Sequence, residues 1–171
     1  MTLLTAKART MGSHQSAAAK SDTWLTPPEI LLALGPFDLD PCAAPFPRPW
    51  PTAAEMWTRT DLPLERPWHG RVWLNPPFGP KAVVLAFMRR MAAHNTGIAL
   101  LFARTETELF FETVWERASA VLFLKSRPHF HRPDGSRARA NSGAPVVLIA
   151  YGESDAERLR TCGRAGAWLS L

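Results

Sequence analysis

Proline sets the first limit on what this chain can become. Sixteen prolines stand among 171 residues, and proline lacks the amide hydrogen that a helix interior or a central strand requires. Long ordered loops joining short elements are therefore expected, rather than a helical bundle. Five of the sixteen (Pro41, Pro45, Pro47, Pro49 and Pro51) crowd residues 41–52, which must form an irregular loop. Two pairs act as punctuation. Pro27-Pro28 suits the first turn of a helix, and Pro76-Pro77 ends whatever precedes it and bars Asn75 from helical geometry.

Between the prolines the apolar pattern alternates between two periods. Glu29–Leu34 reads as a short helix stopped by Gly35-Pro36, and Phe37–Asp40 as a short strand stopped by Pro41. Glu55–Trp57 suggests a very short strand. Gly70–Leu74 is a strand that runs straight into Asn75-Pro76-Pro77. A helix over residues 81–94 carries Val84, Leu85, Phe87, Met88 and Met91 on one apolar face. Then come a strand at 97–102, a helix at 106–117, a strand at 120–124, a turn-rich stretch at 126–143, a strand at 145–151 and a helix from Ser154 to about Cys162. Strands alternating with helices predict an α/β fold with a mostly parallel sheet. The strand at 145–151 follows a hairpin-like stretch and not a helix, which predicts an antiparallel member near that edge.

Charge is concentrated in one place. The net formal charge is +5. Lys125, Arg127, Arg132, Arg137 and Arg139, set against Asp134, account for +4 of it within fifteen residues, which suits a polyanionic partner. The two cysteines, Cys42 and Cys162, lie in no metal-ligand spacing, so no metal is expected, and a reduced cytoplasmic setting is the default. No apolar run reaches membrane-spanning length. Residues 1–20 contain no acid and are rich in Ala, Ser, Thr, Lys and Arg. They are expected to be a disordered lead, with a transit-type leader as the alternative and Met11 as an alternative start. Residues 21–171 then form one domain.

Two unusual sequences fall at expected strand ends, which is where open α/β sheets bind ligands. The first is Asp38-Leu39-Asp40-Pro41-Cys42-Ala43. An acid there can hold a cationic or hydroxyl-bearing cofactor. The second is Leu74-Asn75-Pro76-Pro77-Phe78-Gly79. Asn75 Oδ1 and the Pro76 carbonyl can each accept one N–H bond from a single planar amine. Two acceptors aimed at one nitrogen stabilise it as it pyramidalises and gains positive charge. The prolines make the arrangement rigid, and Phe78 can stack on a ring.

Asn75-Pro76-Pro77-Phe78 resembles the catalytic motif of amino-methyltransferases, written (D/N/S)PP(Y/F/W). Over residues 21–152 the chain resembles the small phage-type DNA N6-adenine methyltransferases. The resemblance rests on Asp22-x-Trp24-x-Thr26-Pro27, Phe37–Ala43, Trp73–Gly79, Ala103–Thr107 and Arg127-x-x-Phe130. It implies a single-domain, Rossmann-like S-adenosylmethionine-dependent fold acting on double-stranded DNA. It also implies a setting in phage or prophage DNA within a bacterial cytoplasm, as protection from restriction. By position it makes Asn75, Pro76, Pro77 and Phe78 catalytic. Thr26 and Pro27 would pack beside the cofactor's methionine moiety, Asp40, Pro41 and Cys42 would line the cofactor, and Asp61 would receive its adenine amine. Arg104, Lys125, Arg127, Arg132, Arg137 and Arg139 would contact DNA. The chain departs from the family pattern in Cys42-Ala43-Ala44, where many methyltransferases have glycines, and in Phe78, where tyrosine is commoner. No clear ribose acid is present; Glu55 is a weak candidate.

The residues alone leave alternatives. The motif serves any planar amine, so cytosine N4, RNA or a protein glutamine are other acceptors, and a non-catalytic DNA-binding remnant is a further reading. Trp24 and Trp73 suit core packing as well as pocket walls. Arg104 suits a helix start as well as a phosphate. His129 and His131 read as surface residues and Cys42 as a packing residue. The oligomeric state and the DNA recognition sequence are not expressed in these features.

Overall fold

The computed structural model describes residues 23–77 and 79–171. Chain order is α1 (Pro28–Leu34), β1 (Leu39–Asp40), β2 (Glu55–Met56), β3 (Val72–Leu74), α2 (Lys81–His94), β4 (Gly97–Phe102), α3 (Glu108–Phe110), β5 (Ala120–Leu124), β6 (Val146–Tyr151), α4 (Glu153–Thr161) and β7 (Gly166–Ser170). One sheet gathers these seven strands in the order β2-β1-β3-β4-β6-β5-β7. β2, β1, β3 and β4 pair in parallel, and β6 enters antiparallel between β4 and β5. β7 closes the far edge antiparallel to β5. Five strands thus share one direction, as the α/β reading predicts.

The strands bury both faces. In β4, Ala99 and Leu101 face the layer built by Phe87, Met88 and Met91 of α2 and by Phe110. Ile98 and Leu100 face the layer built by Ile30, Leu31 and Leu34 of α1 with Ala156 and Leu159 of α4. This two-residue alternation within an unbroken apolar run is the mark of a strand covered on both sides. Gly97 opens β4 at φ +131°, where a Cβ would collide with the Val72 carbonyl. Glycine therefore allows β3 and β4 to pair in register from Val72↔Gly97 to Leu74↔Ala99.

The amino ends of the strands are stitched together. Arg71 Nε donates to Asp155 Oδ1 at 2.6 Å, tying the start of β3 to α4. Its guanidinium also lies 4.2 Å from the centre of the Phe37 ring. Tyr151 is fully buried and donates its hydroxyl to the Thr113 carbonyl at 2.6 Å. Burial raises the Tyr151 phenol far above its ordinary pKa.

Two local expectations change. The strand read over residues 37–40 shortens to Leu39–Asp40. The helix expected over residues 106–117 is one α turn, capped by the Thr107 side chain, followed by a π-helical turn at Phe111–Trp115. Thr113 Oγ1 bonds back to the Leu109 carbonyl at 2.7 Å there, and Trp115 Nε1 reaches the Thr105 carbonyl at 3.1 Å. These side-chain bonds compete with regular helical pairing. The antiparallel strand expected near one edge is β6, third from it, and the edge strand itself is β7, also antiparallel, which the apolar pattern does not announce. Residues 1–20, read as a lead, lie outside the described residues, as does Phe78.

No described helix is long and apolar enough to cross a membrane. Among the described residues no group of three or more His, Cys, Asp or Glu side chains could hold a metal ion.

Candidate active site at the carboxyl ends of β1 and β3

From β1 the chain passes outward to β2 and then returns to the other side of β1 as β3. That reversal makes a topological switch point, and a crevice opens beyond the strand ends at such a point. Asp40 ends β1 and Asn75 follows β3. Leu39 is level with Val72, so Asn75 lies one strand spacing (~4.8 Å) across from Asp40 and about two residues (~6.6 Å) further along. Asp61 follows β2 on the same side. The three elements read as functional from the chain therefore share one end of the sheet.

Asn75 is held by one end of its amide. Its Nδ2 donates to Thr26 Oγ1 at 3.3 Å, and Thr26 is only 2% exposed. Its Oδ1 is buried and has no hydrogen-bond partner. Buried acceptors are normally satisfied. An orphaned one, oriented by the bond on the other side of the same amide and closed to bulk water, suits an N–H donor that arrives with a ligand. Pro76 is buried beside it and Pro77 is exposed.

Asp40 is 3% exposed and organises the loop that leaves β1. Its Oδ1 accepts from the Cys42 amide at 2.8 Å, and its Oδ2 accepts a short bond from the Thr52 hydroxyl. Both ends of the proline-rich loop are thus tied to one carboxylate. Burial pushes its pKa up to about 6, against the opposing effects of Thr52, the Cys42 amide and the Arg48 charge. Each oxygen keeps a second lone pair for a ligand. Pro41 is buried. Burial also raises the Cys42 thiol well above its ordinary pKa, with the Asp40 charge adding to the effect, and Cys42 packs against the core.

Asp61 ends a short 3-10 turn, Arg59–Asp61, in a capping box with Thr58. Its Oδ2 accepts from the Thr58 amide at 2.7 Å and from the Thr58 hydroxyl at 2.9 Å. The Thr58 amide bond above all holds its pKa below the ordinary aspartate value. Glu55, the weak ribose candidate, lies level with Leu39 and is engaged by Trp57 Nε1 at 2.5 Å and His69 Nε2 at 3.0 Å.

Two loops close over this end. His131 pairs with Leu25 through both backbone bonds, at 2.9 and 3.0 Å, one residue before Thr26. His131 also pairs with Arg137, which folds residues 130–138 into a small hairpin. Trp50 of the proline loop meets the His131 ring edge-on at 5.1 Å. Gly135 at the hairpin tip, φ +84°, leaves room for Pro49, which a Cβ there would meet at 3.1 Å. Between the loops lies an open cleft of about 330 Å³ lined by Thr23, Pro45, Phe46, Pro47, Pro133 and Asp134. Thr23 is three residues from Thr26, so the cleft lies within about 11 Å of chain from the residue that holds Asn75.

The basic residues face outward. Lys125, Arg127, Arg132, Arg137 and Arg139 are exposed, and so is Arg104 at the carboxyl end of β4. None of the ion pairs found among the described residues uses them. Arg127 also donates to the Gly143 carbonyl at 3.2 Å, pinning the two ends of the hairpin stretch. Trp73 is fully buried and packs against Phe37, a core role, and Trp24 is half-buried against the α1–α4 layer.

The bond between Thr26 and Asn75 carries no signal in the sequence. It depends on segments that only the fold brings together.

A family model described as DNA N-6-adenine-methyltransferase (Dam) matches residues 12–162, most of the chain. No curated protein and no solved structure matches it.

Proposed function

Since the chain belongs to the DNA N-6-adenine-methyltransferase (Dam) family, we propose that it methylates adenine N6 in double-stranded DNA, with S-adenosylmethionine as donor and the target base flipped out of the duplex. The observation that carries this reading is the orphaned, buried Oδ1 of Asn75, oriented by Thr26. The crevice fits the cofactor in kind: an acid at the end of β1 and a second acid beyond β2.

When bound, S-adenosylmethionine supplies an electrophilic methyl group on a sulfonium. Asn75 Oδ1 and the Pro76 carbonyl accept the two N–H bonds of the adenine amine. They draw its lone pair out of conjugation and stabilise the positive charge that grows on nitrogen. Pro76 and Pro77 keep the acceptors in place, which lowers the ordering cost of the complex. No strong base is needed, because the amine becomes acidic only after it has gained the methyl group. Phe78, by its place in the motif, stacks on the base. Thr26 acts as a positioning residue. Asp40 faces the cationic end of the cofactor, flanked by Pro41, Cys42 and Pro27, and Asp61 meets the nucleoside end.

The hairpin cations Lys125, Arg127, Arg132, Arg137 and Arg139, with Arg104, bind DNA phosphates. The cleft between the hairpin and the proline loop admits the displaced nucleotide. Residues 21–171 act as one domain. The setting we propose is phage or prophage DNA in a bacterial cytoplasm, where such a mark protects against restriction.

The test is incubation of the full chain with duplex DNA and methyl-labelled cofactor, followed by nucleoside analysis. N6-methyladenine is expected. N4-methylcytosine would overturn the choice of acceptor, and unlabelled DNA from protein shown to bind the cofactor would overturn catalysis.

A further inference from the structure

The cleft between the proline loop and the hairpin holds two side chains that the chemistry at Asn75 does not use. Phe46 lines it and is 80% exposed. Its place is nonetheless set, because Pro45 and Pro47 flank it with fixed φ and the Arg48 guanidinium lies over its ring, 5.0 Å from the centre. A rigid ring backed by a cation is a platform on which a planar base stacks at little ordering cost. On the hairpin side of the same cleft stands Asp134, the one acid between Lys125 and Arg139. It takes part in none of the ion pairs among the described residues. Its Oδ1 accepts from the Ser136 amide at 2.8 Å, and hydrogen bonds from Ser136, the side chain first, hold its carboxyl below the ordinary aspartate pKa. An ionised acid on a face that meets phosphates weakens binding unless it finds a donor. The donors that DNA offers are the exocyclic amines of its bases.

We propose that this cleft reads a base beside the target adenine on the same strand, which stacks on Phe46 and donates its exocyclic amine to Asp134. This deepens the proposed function and rests on it. Thr23 on the cleft wall is at most about 11 Å of chain from Thr26, which holds Asn75. The displaced adenine passes on to Asn75, and a neighbouring nucleotide occupies the cleft behind it. The cleft, of about 330 Å³, falls at the small end of ligand pockets, as a single base requires. A carboxylate accepts from cytosine N4 or adenine N6, and at the same place thymine offers only its O4 acceptor. Cytosine and adenine are therefore selected over thymine at that position.

The experiment measures methylation by the full chain of duplexes that carry one target adenine, with cytosine or thymine placed at each neighbouring position in turn. Wild type is expected to prefer cytosine at one position by roughly five- to a hundredfold in kcat/KM, the value of one good base contact. Asp134→Asn keeps an oxygen for the Ser136 amide and adds a donor. It should erase the preference and tighten the binding of both duplexes, which a role in the turn alone would not do. Phe46→Ala should lower kcat/KM by roughly tenfold on both duplexes, and Phe46→Trp should restore it. Equal wild-type rates at every position, or a preference that survives Asp134→Asn, would overturn the reading of a base and leave N6 methylation standing. Wild-type kcat/KM in Phe46→Ala would remove the stacking platform. Wild type that binds the cofactor yet methylates no duplex would overturn the proposed function and this inference with it.

Discussion

Thr26 Oγ1 accepts a hydrogen bond from Asn75 Nδ2 at 3.3 Å across 49 residues of chain. The bond decides which end of the amide faces the site. With Nδ2 occupied, Oδ1 is the atom left without a partner, and an acceptor is what a substrate amine requires.

Asn75→Ala should therefore lower kcat by at least about a hundredfold, the usual cost of removing one preorganised polar group. Cofactor affinity should stay close to wild type. Thr26→Val should lower kcat by roughly tenfold without a matching rise in KM for DNA, and Thr26→Ser should recover most of the loss. Single-turnover rates and cofactor calorimetry check both. Full activity in Asn75→Ala would remove Asn75 from the mechanism.

Asp40 makes stability and binding depend on pH. Its folded pKa, raised to about 6 from 3.8 by burial, means the native state holds the proton more tightly than the unfolded state. The stability it contributes is fully present below about pH 3.8 and is lost as pH rises through about 6, an amount of about 3 kcal/mol. Asp40→Asn should flatten the pH dependence of denaturant unfolding across that interval. In wild type, affinity for the cationic cofactor should rise through about pH 6 as the carboxylate ionises.

Arg132→Ala and Arg137→Ala should each weaken duplex DNA binding at every sequence tested and reduce the slope of log K against log salt by about 1. Arg127→Ala should do more than remove a phosphate contact, because Arg127 also holds the Gly143 carbonyl. A salt titration by fluorescence anisotropy separates the two effects. An unchanged slope in Arg132→Ala and Arg137→Ala would move the DNA face elsewhere.

Gly135→Ala should cost about 1 kcal/mol of stability, since the position has φ +84° and the new methyl would press on Pro49. Its larger effect should be on DNA-dependent turnover, because the change pushes the hairpin off the proline loop and reshapes the cleft between them. Cofactor affinity should be unaffected. A variant that loses stability but turns over normally would show that the two loops act independently.

Local chemistry made much of this legible. Pro76-Pro77 ends a strand wherever it occurs, so Asn75 had to stand at a strand end. The apolar period of residues 81–94 could only be a helix facing a core, and that is α2. The proline run at 41–52 could only be a loop. Where side chains compete with backbone pairing the reading failed: Thr107 caps a later start, and the Thr113 and Trp115 bonds accompany the π-helical turn that replaces the regular helix expected at 106–117. β7 failed for a different reason. Gly166–Ser170 is a short, exposed run whose strand state depends on pairing with β5 from Ala120↔Ser170 to Leu124↔Gly166.

The sequence by itself determined the alternation of elements, the two motifs and the basic segment, because propensity, proline sterics and charge act over a few residues. Tertiary structure alone decided that β1 and β3 are neighbours, that Thr26 orients Asn75, and that Gly135 packs on Pro49. Those relationships join segments tens of residues apart, and only the burial of both faces of one sheet brings such segments together.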